Sequence, residues 1–201
     1  MLKSSFSVGL LEAGCDESGR GCLAGPVFAS AVIFPVGYEN DGINDSKKLT
    51  SKDRYRLRDI IIADALAWGV ASISPGEIDA LNILNASILA MHNAILQLKV
   101  LPQLLLIDGN RFHAFGTIPH RCIIKGDSQY QSIAAASILA KTFRDDAMLE
   151  LHREFPDYGW NQNKGYASKQ HCEQIYASGL SKYHRKSFHL KGQLKIDFGE
   201  F

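Results

Sequence analysis

Residues 9–21 read GLLEAGCDESGRG, an apolar run that ends in two acids, Asp16 and Glu17, followed at once by Gly19, Arg20 and Gly21. The same ending recurs twice more. QLLLI at 103–107 stops at Asp108, and RCIIKG at 121–126 stops at Asp127. Apolar runs of this length read as strands, and the uninterrupted one at 104–107 has the pattern of a strand covered on both faces. One Asp at a strand end is most often a turn former, but carboxylates at several strand ends point to one shared site, because α/β sheets build sites at the carboxyl ends of their strands. Gathering ionised carboxylates in a buried place is costly without a counter-charge, so the pattern calls for a divalent cation or raised pKa values. An all-oxygen ligand set selects hard ions, Mg²⁺ or Mn²⁺. Two such ions bridged by carboxylates can activate a water and stabilise the leaving oxygen of a phosphodiester. Arg20 adds a permanent positive charge that suits a phosphate-bearing substrate. Neighbouring side chains in a strand point to opposite faces, so Asp16 and Glu17 can serve one site only where the strand ends or bulges, as Gly14 and Gly19 would permit.

Outward from these acids, strands are expected over 7–15 and 27–34 (VFASAVIF), a third within 65–73, and a short one around Ile123 and Ile124. Thr50 and Asp53 stand at capping-box spacing ahead of a helix over 50–64. Ser74, Pro75 and Glu77 supply a cap, a proline at the first helical position and an acid three residues after the cap. One helical face then follows in Ile78, Leu81, Leu84, Ile88, Met91, Ile95 and Leu98. A second long helix is expected after Asp127, with Ser128 as a candidate cap, Pro156 setting its end, and Ala134, Ala135, Ala136, Ser137 and Ala140 small enough to lie close to a sheet. The sum is an α/β domain with a mixed five-stranded sheet flanked by helices.

The 201 residues are 46% hydrophobic and 21% charged, ordinary for one globular domain over 1–201. A net charge of +1 does not by itself advertise nucleic-acid binding. Its distribution is uneven: 161–201 holds Lys164, Lys169, Lys182, Arg185, Lys186, Lys191 and Lys195 against Glu173, Asp197 and Glu200, a basic segment able to follow a phosphate backbone. The cysteines, Cys15, Cys22, Cys122 and Cys172, form no CxxC pair and read as reduced thiols. Asp79, Asn82, Asn85, His92 and Asn93 interrupt the longest apolar region, so no membrane span is expected. Acids at 12, 16 and 17 break up any secretory signal, which makes the cytoplasm the expected compartment, and a monomer the expected state.

Seven ordered stretches resemble the type 2 ribonucleases H of bacteria: GCDESGRGCLAGPV at 14–27, NDSKKL at 44–49, EIDALNIL at 77–84, LLIDGN at 105–110, KGDSQYQSIAAASILAK at 125–141, NKGYAS at 163–168 and HRKSF at 184–188. The resemblance implies an RNase H-like fold with a small helical C-terminal segment. It implies cleavage of RNA in RNA/DNA hybrids and incision on the 5′ side of single ribonucleotides embedded in duplex DNA, leaving a 3′-hydroxyl and a 5′-phosphate. The family's four catalytic, metal-holding acids fall on Asp16, Glu17, Asp108 and Asp127, with Mn²⁺ or Mg²⁺ as the ions. Gly19, Arg20 and Gly21 match the element that reads the 2′-hydroxyl, and glycines there let the backbone approach a sugar. Tyr166 matches a tyrosine that stacks at the junction between ribonucleotide and deoxyribonucleotide. Two departures stand out: Ser18 replaces a small apolar residue, and Ala167 and Ser168 stand where Pro and Thr are usual, which frees the backbone after Tyr166.

Lys47 is expected to contact phosphate or position substrate. Ser137 and Lys141, four apart on one helix, share a face toward it. His184, Arg185 and Lys186 are expected to extend the basic surface. A non-catalytic hybrid binder of the same fold is the alternative; retention of every acid speaks against it. The related type 3 enzymes usually carry an extra N-terminal substrate-binding domain, for which a first acid at residue 16 leaves no room.

Overall fold

A computed structural model of the chain describes residues 2–188. Lys191 and Lys195 of the basic segment lie outside the described residues. The sheet has five strands in the order β3-β2-β1-β4-β5: β1 (Glu12–Ser18), β2 (Val27–Ile33), β3 (Ala67–Ile73), β4 (Leu104–Asp108) and β5 (His120–Ile123). β1, β2 and β3 form an antiparallel meander, whereas β4 runs parallel to β1 and β5 parallel to β4. The mixed sheet is therefore as expected, but its first strand starts later and runs on through Asp16 and Glu17, expected in the turn after it, to Ser18. The Glu12 carboxylate accepts the backbone N–H groups of Phe6 and Ser7 at 2.8 and 2.6 Å, which bends the chain back ahead of β1 in place of a strand.

Leu105, Leu106 and Ile107 are fully buried because helices cover both faces of the sheet. Leu105 and Ile107 pack with Ala90, Met91 and Ala94 of α3 (Ile83–Leu96), on the same side as Ala13 and Cys15 of β1. Leu106 faces the other way, onto Ile133 of α4 (Gln131–Glu154). Burying each such aliphatic side chain contributes about 1.5–3 kcal/mol relative to exposure. The alanines of α4 act as expected: Ala134, Ala135 and Ala136 are wholly buried, and Ser30 of β2 donates its hydroxyl to the Ala136 carbonyl at 2.6 Å. Gly14 is what allows this approach. A Cβ there would overlap the backbone of Ser132 and Ile133.

α1 (Ser51–Asp64) is capped by Thr50, whose hydroxyl accepts from the Asp53 N–H. The Ser74–Glu77 capping box opens α2 (Pro75–Leu81). The apolar face expected as one helix through residue 98 is divided at Asn82, whose backbone sits at φ 66° and whose side chain accepts from the Asn85 N–H at 3.1 Å to cap α3. Asn tolerates this conformation and caps well, so Asn82 and Asn85 carried the signal of a restart. Ser128 does not cap α4. It lies in a 3-10 turn, Gly126–Ser128, with its hydroxyl on the Lys125 carbonyl, and α4 begins after Tyr130. α5 (Trp160–Asn163) and α6 (Lys169–Ser178) make the small C-terminal helical part.

Candidate active site

Asp16 and Glu17 leave β1 on opposite faces, and no bulge turns them together. The register with β2 runs without a slip from Ala13↔Ile33 to Ser18↔Phe28. The ladder with β4 instead stops at Cys15↔Ile107, one residue before Asp16. The two acids thus stand at an open sheet edge, and a site can wrap around it. Asp16 turns toward α4, where Ser137 favours its ionised form and has its hydroxyl 3.0 Å from that of Ser46. Glu17 emerges on the α3 side, where it lines a cavity of about 180 Å³ with Leu84, Ile88 and Met91, and pairs with Arg20 at 3.0 Å.

Asp108 ends β4 and accepts the Gly126 N–H on Oδ1 at 2.7 Å, which ties it to the 3-10 turn carrying Asp127. Asp127 is only 3% exposed, and Lys47 Nζ reaches its Oδ2 at 2.9 Å. Lys47, expected at phosphate, is thus engaged with an acid, although its side chain stays 77% exposed. A cleft of about 300 Å³ is lined by Asp16, Glu17, Asp108, Lys47, Ser137, Lys141 and Tyr166 and by the whole run Ser18–Gly21. Asp127 abuts it through Asp108 and Lys47.

Asp16, Glu17 and Asp108 are all held above the ordinary carboxylate range. Burial is the main cause in each case. The charges of Glu17 and Asp108 add to it at Asp16, and that of Asp127 adds at Asp108. Such mutual repulsion among oxygen donors is relieved by a hard divalent ion, so the residues present fit one. Among the described residues no three acidic, His or Cys side chains form a finished cage.

The Gly-Arg-Gly turn has two supports that sequence reasoning missed or misplaced. Gly19, at φ 96°, lies directly over the buried Arg144 side chain, and a Cβ there would overlap it. Arg144 donates to the Pro26 carbonyl at 3.0 Å, and its guanidinium is 5.9 Å from the Tyr166 ring centre. Its signal was available: Ser137, Lys141 and Arg144 recur at helical spacing on one face of α4. Arg185 requires a correction. It is 1% exposed and His184 is 2% exposed, so neither extends a basic surface; only Lys186 of the three is exposed. Arg185 donates to the Gly25 carbonyl through Nε and Nη2 at 3.0 and 2.9 Å and to the Arg20 carbonyl through Nη1 at 2.9 Å. Five donors in a planar fork suit this bracing of a loop from within. Asp79 fixes the segment by accepting the N–H groups of Lys186 and Ser187, each at 2.9 Å.

A five-stranded mixed sheet with acids gathered at the carboxyl ends of β1 and β4 and just past β5 is the RNase H-like fold, a nuclease architecture. Within it the chain belongs to the ribonuclease HII family, whose model matches residues 13–191. It is an endoribonuclease of the RNase H type. The ribonuclease HII of Phocaeicola vulgatus is 57% identical over 201 residues, 98% of this chain and 100% of that one. The structure of the PCNA:RNase HII complex from Archaeoglobus fulgidus matches with a TM-score of 0.75 at 27% identity, over 94% of this chain and 99% of that chain. Bst-RNase HIII in complex with Mn²⁺ shares the fold at 21% identity, with a TM-score of 0.63 over 86% of this chain and 64% of that one.

Proposed function

We propose that this endonuclease cuts the RNA strand of RNA/DNA hybrids and incises on the 5′ side of single ribonucleotides embedded in duplex DNA, leaving 3′-hydroxyl and 5′-phosphate ends. The observation that carries the reading is the junction of Asp16, Glu17 and Asp108 with the Ser18–Gly21 edge in one cleft. Gly21 has no positive φ, and a Cβ on it would meet open space, so the fold itself makes no demand for glycine there. What remains is an unobstructed approach for a sugar, and the 2′-hydroxyl is the group that separates RNA from DNA.

Asp16, Glu17, Asp108 and Asp127 would hold two Mn²⁺ or Mg²⁺ ions, which supply an activated water and stabilisation of the leaving oxygen when bound. Bst-RNase HIII, which shares the fold, binds Mn²⁺, and this favours the same chemistry here. The chain's own groups do the rest. Ser137, its hydroxyl 3.0 Å from that of Ser46, would favour the ionised Asp16 carboxylate. Arg20 and Lys141 place positive charge along the cleft for the phosphodiester, and Lys47, on Asp127, is exposed enough to move to it. Tyr166, 44% exposed at the cleft wall, offers an aromatic face to a nucleotide at the junction.

The test is a duplex DNA with one internal ribonucleotide, incubated with Mn²⁺ or Mg²⁺. Incision immediately 5′ of the ribonucleotide is expected, with a downstream end that carries phosphate. Absence of product with folded protein that still binds the duplex would replace the proposal with the non-catalytic alternative.

A further inference from the structure

Behind Tyr166 lies a buried set of rings that the reaction itself does not use. Trp160, His171 and His184 are wholly or almost wholly inaccessible. Trp160 Nε1 and His184 Nε2 lie 3.0 and 3.1 Å from His171 Nε2. His171 Nδ1 is 2.8 Å from the Tyr166 carbonyl, and His184 Nδ1 is 2.9 Å from the Ser181 backbone nitrogen.

Only one assignment of protons satisfies these contacts. The Ser181 N–H can only donate, so His184 Nδ1 is bare and its proton sits on Nε2. The indole N–H of Trp160 can only donate, so His171 Nε2 is bare and shared between Trp160 and His184. The His171 proton is then on Nδ1, directed at the Tyr166 carbonyl, which can only accept. Burial lowers the pKa of both imidazoles, that of His184 to about 4, so the neutral arrangement persists at neutral pH.

The Tyr166 carbonyl receives a second bond, from the Ser168 N–H at 2.8 Å. Ala167 places no ring on this backbone, so these two bonds fix it instead.

We propose that His171, held by Trp160 and His184, is a positioning residue that fixes the Tyr166 backbone and thereby the pose of its ring in the cleft. The proposal rests on the junction-stacking reading of Tyr166. A misplacement of about 1 Å at a reacting site can cost a hundredfold in rate, and loss of one stacked base corresponds to about tenfold or more. The measured quantity is the ratio of incision rates on a single-ribonucleotide duplex and on a long hybrid. Tyr166→Ala and His171→Phe are each expected to lower the ratio on the order of tenfold, the double variant no further, and His171→Asn, which keeps a donor near Nδ1, to restore most of it. Nitrogen NMR of the wild-type imidazoles should show His171 protonated at Nδ1 and His184 at Nε2.

An unchanged ratio in His171→Phe overturns the inference whatever Tyr166→Ala does. A changed ratio in His171→Phe alone also overturns it, since the effect would not run through Tyr166. An unchanged ratio in Tyr166→Ala shows that the stacking reading has failed as well, whereas a lowered ratio there beside an unchanged one in His171→Phe shows that the inference alone has failed. The opposite tautomers would overturn the relay independently of any activity.

Discussion

Replacing Asp16 with Asn is expected to abolish incision, by about 10³-fold or more, while raising the melting temperature of the metal-free protein. Loss of activity follows, on the proposed function, from removing the central carboxylate of the cluster that would hold the metal ions. The gain in stability follows from the same residue. Asp16 is 5% exposed and feels the charges of Glu17 and Asp108, so its charge is held in place against burial and repulsion. Asn retains the oxygen that accepts the Glu17 N–H at 2.7 Å and sheds the charge. One pKa unit corresponds to about 1.4 kcal/mol, and a chain of this size gains about 2–4 °C per kcal/mol. Cleavage at the wild-type rate, or a lower melting temperature, would contradict this role for Asp16.

The sign of the pH dependence is fixed by the same shifts. Asp16, Glu17 and Asp108 have raised pKa values in the folded state, so the native chain binds protons that the unfolded chain has released. Their contribution to stability is therefore best in acid and is lost as pH rises from the ordinary carboxylate range through the raised values. Above that window the full penalty is present, and a divalent ion bound among these acids would remove it.

Gly14→Ala is expected to have the largest effect on stability, at least ~3 kcal/mol and with loss of soluble protein. The added methyl would meet not a flexible side chain but the backbone of Ser132 and Ile133. Relief requires α4 to move off β1, which would strip cover from Leu106 and shift Ser137 from Asp16. Equilibrium unfolding in urea measures the loss. Gly21→Ala is the matched control, because a Cβ at that position has open space around it. A stable, folded Gly14→Ala protein would show that the approach of α4 to β1 does not depend on this glycine.

These two residues also show how far the sequence could be read. The acids, the glycine-rich turn and the small residues of α4 were legible because each is written in a local pattern that the fold respects. The way Asp16 and Glu17 share a site was not. A strand end or a bulge was expected from Gly14 and Gly19, yet β1 runs regularly through both acids and it is the ladder with β4 that ends early. Where a neighbouring strand stops is a property of the sheet, and no spacing within β1 encodes it. Arg185 illustrates the same limit. Its place in a basic C-terminal segment implied a surface cation, whereas three hydrogen bonds to the Gly25 and Arg20 carbonyls make it the internal brace of the Gly-Arg-Gly turn. Charge counted along a segment carries no information on which of its cations turn inward. Asn82 was readable in principle, since an Asn three residues before another polar break can cap a new helix, but the apolar period around it runs through unbroken.

The most direct measurement of the central claim, that repelling carboxylates at this sheet edge form a divalent-cation site, is thermal unfolding under Mn²⁺ titration in wild type and Asp16→Asn. At about pH 7.5, above the ordinary carboxylate range, the wild type is expected to gain several degrees with saturating Mn²⁺, with a gain that shrinks as pH falls toward that range, while Asp16→Asn starts higher and gains little. Equal gains in the two proteins, or no gain in the wild type, would contradict the claim.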